Sequence, residues 1–321
     1  MATMNAVIFR IGGTDQLRHQ TLDRPEPGPT EVLVRVAAAG VNPVDWKTRE
    51  GKAFNHTFVD GTEWVLGWDL AGTVESVGIG VTRFSVGDRV FGMPRFPHPA
   101  RAYAEFVVSR SRELAHTPDG LTDVEAAGLP LAGLTAWQAV VDTLEVGQGT
   151  RILIHAAAGG VGHLAVQIAK ARGAEVWGTA SAPKHDLLRE LGVDHPIDYR
   201  NEDFTEVAKG MDAVLDLVGG AESALRSLSC LRRGGKLLTI PSPADLPSQE
   251  QLDEAGVTAQ WMLVEPDHAG LEGLARLVDA GQLRVLIDTT KPLADMAALH
   301  ELGERGGSTG KLVATVDHAG G

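Results

Sequence analysis

The sequence predicts an α/β protein of two domains: a small, mostly β, barrel-like domain and a doubly wound parallel sheet clothed by helices. Three observations lead there. A length of 321 residues suits two domains at roughly 100–200 residues each. Residues 5–125 read as short strands broken by turns, whereas residues 126–263 alternate apolar strand-like runs with helix-length segments. Alternation of that kind gives a parallel sheet covered on both faces.

In the first stretch, Glu31–Val36 mixes charged and apolar residues as a half-buried strand does. Ala71–Val77 and Asp88–Phe91 continue the pattern, with glycine turns such as Gly78-Ile79-Gly80 between them. In the second stretch the strand-like runs are Arg151–His155, Glu175–Thr179, Pro196–Tyr199, Asp212–Leu217, Lys236–Ile240 and Val257–Leu263. The clearest amphipathic helix between them is Val161–Arg172. Leu164, Ile168 and Ala169 share its inward face, and Lys170 and Arg172 sit in the last turn, where cations suit the helix dipole. The tail holds helical segments near Ala269–Ala280 and Leu293–Glu304 and a strand at Lys311–Val316. It is expected to return to the first domain, giving one domain from residues 1–125 with 264–321 and another from 126–263.

Composition narrows the function classes. Hydrophobic residues at 43% and charged residues at 22% are ordinary for a globular protein that buries its own core. A net charge of −13, with basic residues scattered, argues against nucleic acid as a partner. The single cysteine, Cys230, excludes an internal disulfide and a four-cysteine zinc site. The start MATMNAVIFRIGG lacks the apolar core of a signal peptide, and no run of about 18 apolar residues exists. A cytoplasmic enzyme with no membrane partner is the expectation.

The most informative motif follows the strand Arg151–His155. It reads Ala156-Ala157-Ala158-Gly159-Gly160-Val161-Gly162 and opens a helix. Strand, tight turn and helix are the context of the dinucleotide fingerprint G-x-G-x-x-G, met here as Ala157-x-Gly159-x-x-Gly162 with alanine in the first place. Glycines let backbone N–H groups approach a pyrophosphate, and the helix N-terminus adds donors and partial positive charge. A glycine-rich turn without a ligand is the competing reading. Sites for NAD place an acid about 20 residues on, at the end of the second strand. Here that end reads Trp177-Gly178-Thr179-Ala180-Ser181, followed by Lys184. A hydroxyl and an ammonium welcome a 2′-phosphate that a carboxylate repels, and Tyr199 at the next strand end adds a hydroxyl. NADP(H) is therefore preferred over NAD(H), with Lys184 as a solvated helix-start lysine the alternative.

With these residues the chain resembles the medium-chain dehydrogenase/reductase superfamily, in its zinc-free quinone oxidoreductase-like branch. The resemblance runs through Gly40–Asp45, Gly67–Val74, Gly87–Val90, Ala102–Phe106, Leu129–Trp137, the glycine turn, Asp198–Arg200, Asp216–Gly220 and Gly310–Val313. It implies a GroES-like β-barrel domain and an inserted Rossmann domain. It also implies a cofactor-binding set of Thr135, Ala158, Gly159, Gly160, Val161, Gly162, Ser181, Lys184, Tyr199, Val218, Ile240, Trp261, Met262 and Lys311, with a homodimer joined near Val257–Leu263.

Zinc members of the superfamily place a cysteine where this chain has Pro43 and a histidine where it has Trp68. His98, in the loop Pro94–Pro99, reads as a loop residue, because zinc needs several converging ligands. No catalytic metal is expected. Without one, hydride delivery to an already activated acceptor, a quinone or an α,β-unsaturated carbonyl, is the expected chemistry. Asn42 and Asp45 are the candidates for positioning that small-molecule acceptor. Turn formation by Asn42 and capping of a helical turn at Trp46–Glu50 by Asp45 are their alternatives. Trp46, Trp64 and Trp68 are either a wall for a flat acceptor or core. The chain departs from many quinone reductases in having no tyrosine after the Asn-Pro-x-Asp turn; its tyrosines are Tyr103 and Tyr199. An NADPH-binding sensor with little turnover and an enoyl thioester reductase are the competing functions.

Overall fold

The computed structural model describes residues 2–54 and 64–318. Along the chain the strands are β1 (Thr3–Phe9), β2 (Arg18–Asp23), β3 (Glu31–Val41), β4 (Trp64–Val65), β5 (Leu70–Val77), β6 (Arg89–Gly92), β7 (Phe106–Arg110), β8 (Leu114–His116), β9 (Arg151–Ile154), β10 (Glu175–Ala180), β11 (His195–Asp198), β12 (Met211–Asp216), β13 (Leu231–Thr239), β14 (Thr258–Trp261), β15 (Ile287–Pro292) and β16 (Lys311–Thr315). The α-helices are α1 (Pro43–Arg49), α2 (Asp123–Gly128), α3 (Pro130–Trp137), α4 (Gly162–Ala171), α5 (His185–Leu191), α6 (Phe204–Val207), α7 (Ala221–Leu228), α8 (Gln249–Ala255), α9 (His268–Asp279) and α10 (Met296–Arg305). None is long and apolar enough to cross a membrane.

Two compact units result. The first comprises Met1–Leu134, Glu265–Asp279 and Val285–Gly321, the second Thr135–Val264 and Ala280–Arg284. In the first unit β3 is the hub, pairing antiparallel with β5, β7 and β16. Its valines suit that position: Val32, Val34 and Val36 are fully buried, and β-branched side chains pack well on a pleated surface. A separate sheet of order β2-β1-β4 completes the β-rich architecture. Pro43 starts α1, where its missing N–H costs nothing. Asp45 caps that start, its Oδ2 accepting the Asn42 N–H at 2.7 Å. The helical turn thus begins at Pro43, three residues earlier than the expected Trp46, because Asp45 sits inside the first turn and reaches back to the cap.

The second unit is one fully parallel sheet of order β11-β10-β9-β12-β13-β14. The chain leaves β9 toward one side through β10 and β11, then returns to the other side through β12, β13 and β14. This is the doubly wound arrangement, with its switch point between β9 and β12. Leu164, Ile168 and Ala169 of α4 are fully buried, as their spacing requires. Beneath α6 and α7 the core gathers Leu153, Trp177, Ile197, Phe204, Val214 and Cys230.

The division differs from the expected boundaries of 125/126 and 263/264. Helix α2 belongs to the first unit, because Ala126, Ala127 and Gly128 are buried and the helix packs on β3, β5 and β16. Residues Ala280–Arg284 belong to the second unit, where Gln167 of α4 clasps the Arg284 backbone, donating to its carbonyl at 3.0 Å and accepting its N–H at 2.9 Å. Strand β15 carries no turn signal in the sequence and appears only through its parallel pairing with β16.

The seat of α2 is testable. A Cβ on Gly40 falls 2.4 Å from the Ala127 carbonyl oxygen and 2.8 Å from the Asp69 Cβ. Gly40→Ala is expected to cost about 1–3 kcal/mol in denaturant unfolding. Gly120→Ala, with nothing within 4 Å of its Cβ, is expected to stay within about 0.5 kcal/mol of the parent. Equal behaviour of the two variants refutes the close packing of α2.

Candidate cofactor and active site

The turn after β9 is held from below by its neighbouring strand. Ala156 takes a left-handed φ of 50°. Its N–H donates to Thr179 Oγ1 at 3.1 Å, and the next N–H, of Ala157, donates to the Thr179 carbonyl at 2.9 Å. The chain then closes through Gly159 N–H to Ala156 O at 2.9 Å and enters α4. Among the described residues, the N–H groups of Ala158, Gly160 and Val161 have no internal acceptor, and Val161 caps α4 without a side-chain bond. Unclaimed N–H groups at the start of a ten-residue helix are what a pyrophosphate requires, so the turn fits a dinucleotide.

The glycines have unequal work. A Cβ on Gly162 lies 2.2 Å from Ala156 O and 2.8 Å from the Ala157 Cα, contacts with backbone that nothing can relieve. A Cβ on Gly159 meets Ala156 O at 3.2 Å and the Ala156 Cβ at an ordinary 4.0 Å. The alanine in the first fingerprint place is accommodated from β10: a Cβ on Gly178 falls 2.9 Å from the Ala157 Cβ. Gly178 was not among the sequence candidates, although a glycine inside a strand is a known sign of close approach.

Apart from Thr135, the other candidates in the second unit stand at the carboxyl edge of the same sheet. Ser181 follows β10, Tyr199 follows β11, Val218 follows β12, Ile240 follows β13, Trp261 ends β14 and Met262 follows it. Ala180 pairs with Asp198, which makes Ser181 and Tyr199 neighbours at adjoining strand ends. Lys184 closes the short 3-10 turn Ala182–Lys184, its N–H on Ser181 O at 2.9 Å. Tyr199 is 55% exposed and carries the Arg200 guanidinium 5.7 Å from its ring centre, a cation that sequence reasoning left without a role. Carboxylates do lie nearby, and Glu202 accepts the Asp198 N–H at 2.8 Å. Asp198 accepts the Asn201 amide and the Arg200 N–H, and the Asn201 bond above all holds its carboxyl below the usual range. Thr135 is buried in α3, and the Trp261 indole donates to Ile240 O at 3.0 Å.

The first unit contains a buried polar cluster at the β3–α1 turn. Asn42 and Asp45 are 1% and 0% exposed. Asn42 donates to Asp69 Oδ2 at 2.8 Å and accepts from the Lys311 ammonium, which also donates to Val41 O at 3.1 Å. Asp69 lies 3.7 Å from that ammonium and accepts the Leu131 N–H at 2.7 Å. Burial pushes the Asp45 carboxyl up to about 7, against the pull of the Asn42 N–H and the Tyr103 phenol. Burial likewise raises Asp69 and lowers Lys311. The Tyr103 phenol, raised well above its usual value by burial and the Asp45 charge, meets His300 Nε2 at 3.4 Å.

Lys311, expected to face the cofactor, is 3% exposed and bonds to Val41 O and Asn42, with Asp69 beside it. Of the tryptophans read as either acceptor wall or core, Trp68 is core: it is 1% exposed and donates its indole N–H to His98 O at 2.8 Å. Trp46 packs edge-on to His300 at 6.3 Å, in the space left open by Gly303. Asp69, Tyr103 and His300 had no role in the sequence reading. The first two lie in recognisable motifs, while His300 is identified only by the packing of α10.

Two outcomes follow from this geometry. Gly162→Ala is expected to abolish measurable binding of a nicotinamide cofactor or folding of the turn, while Gly159→Ala weakens binding less than about tenfold. Titration calorimetry checks it, and similar losses in both variants refute the assignment of the close approach to Gly162. Lys311→Met leaves Asp69 buried without its cation and is expected to cost about 3–5 kcal/mol in unfolding free energy. Adding Asp69→Asn recovers part of that loss. A double variant no more stable than Lys311→Met rejects the ion-pair account.

Comparison with known proteins agrees with the architecture. Residues 28–146 match the alcohol dehydrogenase GroES-like domain and residues 191–313 match the zinc-binding dehydrogenase family. The zinc implied by the second description does not fit the two corresponding positions, because a proline and an indole offer no metal donor. The chain is 36% identical over 337 residues to a mycocerosic acid synthase-like polyketide synthase of Mycobacterium tuberculosis, covering 99% of this chain but 16% of that far longer protein. It is 35% identical over 321 residues to a 2-haloacrylate reductase of a Burkholderia species, covering 93% of this chain and 94% of the relative. The structure of the quinone oxidoreductase from Coxiella burnetii superposes with a TM-score of 0.90 at 36% identity, over 98% of this chain and all of that one. These matches span both units, and the chain belongs to the medium-chain dehydrogenase/reductase superfamily, among its quinone oxidoreductase-like members, as an oxidoreductase that uses a nicotinamide cofactor.

Proposed function

We propose that the chain is an NADPH-dependent, metal-free reductase of quinones or α,β-unsaturated carbonyl compounds. The observation that carries the cofactor choice is the edge formed by Ser181, Lys184, Tyr199 and Arg200, two hydroxyls and two cations beside the phosphate turn. The carboxylates at that strand end are engaged within it: Asp198 accepts the Asn201 amide and the Arg200 N–H, and Glu202 accepts the Asp198 N–H at 2.8 Å. When bound, NADPH supplies a hydride. The chain's residues bind and orient it: the N–H groups of Ala158, Gly160 and Val161 take the pyrophosphate, and Ser181, Lys184, Tyr199 and Arg200 take the 2′-phosphate. Val218, Ile240, Trp261 and Met262 supply apolar surface along the remaining strand ends.

The acceptor class follows from the donor set. Among the described residues no group of three or more His, Cys, Asp or Glu is placed to hold a metal, and the zinc-ligand positions are Pro43 and Trp68. A Lewis acid is thus not supplied by those side chains, and a substrate whose own conjugation accepts the hydride suits the site. Both the 2-haloacrylate and the quinone named for the relatives are conjugated acceptors. Asn42 and Asp45, buried as they are, serve as positioning residues that hold the β3–α1 turn. A homodimer joined along β14, the terminal strand of its sheet, belongs to the same reading.

The test mixes the purified protein with NADPH or NADH and a panel of ortho- and para-quinones, 2-alkenals, 2-haloacrylate and enoyl thioesters, following reduced-nicotinamide absorbance. Turnover with NADPH and a conjugated acceptor is expected. Lys184→Ala is expected to raise the KM for NADPH about tenfold or more and leave that for NADH nearly unchanged. Equal use of the two cofactors by the parent rejects the 2′-phosphate assignment. Binding of NADPH without oxidation by any acceptor favours a sensor, and exclusive use of enoyl thioesters favours the enoyl reductase.

A further inference from the structure

Behind the phosphate turn lies a buried histidine with no role so far. His155 is the residue between β9 and Ala156 and is 3% exposed. Its Nδ1 faces Thr179 Oγ1 of β10 at 3.3 Å, and its Nε2 faces Ser227 Oγ of α7 at 3.2 Å. The directions of these bonds are settled by their neighbours. The Ser227 hydroxyl spends its one hydrogen on Ser223 O at 2.8 Å, so toward the imidazole it can only accept. Nε2 therefore carries the proton, and Nδ1 is bare and accepts the Thr179 hydroxyl hydrogen. Thr179 Oγ1 keeps a lone pair for the Ala156 N–H at 3.1 Å. Every donor in the chain Ala156 N–H, Thr179 O–H, His155 Nε2–H and Ser227 O–H has one acceptor.

We propose that His155 is a positioning residue which, through Thr179, holds the phosphate turn in the shape that presents the Ala158, Gly160 and Val161 N–H groups to the cofactor. The inference rests on the reading of that turn as the pyrophosphate site. Its physical basis is the strain at Ala156, whose φ of 50° is a left-handed conformation that a residue with a Cβ rarely adopts. The bonds from Thr179 to Ala156 and Ala157 oppose that strain, and Thr179 is oriented by His155. The same Ala156 peptide bears on the first residue of α4, because its carbonyl oxygen lies 2.2 Å from where a Gly162 Cβ falls. A shift at Ala156 thus moves the helix N-terminus with it.

The surroundings keep the ring in the required form. Phe204 of α6 packs edge-on at 4.7 Å, and the charged groups that act on His155 are Asp216 at the end of β12 and Arg226 on α7. Burial lowers the imidazole to about 4, outweighing the Asp216 charge, so the ring is neutral at physiological pH. Asp216 is itself turned to the Val218 and Gly219 N–H groups, at 3.0 and 3.1 Å.

The experiment compares the parent with His155→Phe, which keeps the ring and loses both nitrogens; His155→Asn, whose Oδ1 can stand where Nδ1 stood; and Thr179→Val, which loses only the hydroxyl. NADPH affinity is measured by titration calorimetry, and hydrogen exchange of the Ala156 and Ala157 amides is measured without cofactor. His155→Phe and Thr179→Val are expected to weaken NADPH binding about tenfold and to speed exchange at both amides, with kcat at saturating NADPH changed less than about twofold. His155→Asn is expected to recover most of both losses. Thr179→Val keeps the test decisive if His155→Phe does not fold. Unchanged affinity and exchange in Thr179→Val, or a His155→Asn as impaired as Thr179→Val, overturns the proposal. Failure of the parent to bind NADPH, or binding that leaves the Ala158–Val161 amides unshifted, overturns the site reading and the proposal together. Normal parental binding with silent variants overturns this proposal alone.

Discussion

The close approach of the Ala156 peptide to the first residue of α4 sets the terms for the nucleotide-binding unit. A strand that ends in the middle of a parallel sheet must turn sharply to reach a helix packed on one face. At Gly162 the turn passes so near the helix start that any side chain meets backbone. The cost of that geometry appears as a left-handed alanine, and the return is a row of N–H groups that no carbonyl of the turn can reach. Gly178 in β10 gives up its side chain so that Ala157 can stand where the fingerprint usually has glycine. One turn therefore draws constraints from β9, β10 and α4 at once.

The placement of β9 gives these N–H groups their company. Because all six strands run parallel, their carboxyl ends share one edge, and the residues that follow them line up along it. A polar, cationic end forms after β10 and β11, and an apolar end after β12, β13 and β14. That division suits a nicotinamide dinucleotide, which is polar at its adenosine end and uncharged at its reduced ring.

The first unit is governed by a different balance. Lys311, Asp69 and Asn42 are buried together, and each is tolerable only in the presence of the others, since an isolated charge at such a depth carries a penalty of several kcal/mol. Through Asn42 and Asp45 the cluster fixes where β3 ends and α1 begins. Tyr103 and His300 extend it toward α10. The result is a rigid support under the β3–α1 turn rather than a set of side chains open to solvent.

Much of this was legible in the residues themselves. The strand–turn–helix frame, the inward face of α4 and the missing acid after β10 are local patterns, governed by periodicity and by which side chains a turn permits. The role of Asp45 as a cap was equally local, although the helix starts earlier than its spacing suggested. What the tertiary structure decided depends on contacts between residues far apart in the chain. Lys311 looks like a cofactor lysine beside a glycine, and only the antiparallel pairing of β16 with β3 turns its ammonium toward Asn42. Trp68 becomes core and α2 joins the first unit for the same reason. Burial and partner choice are properties of the packed chain, and no window of sequence contains both members of such a pair.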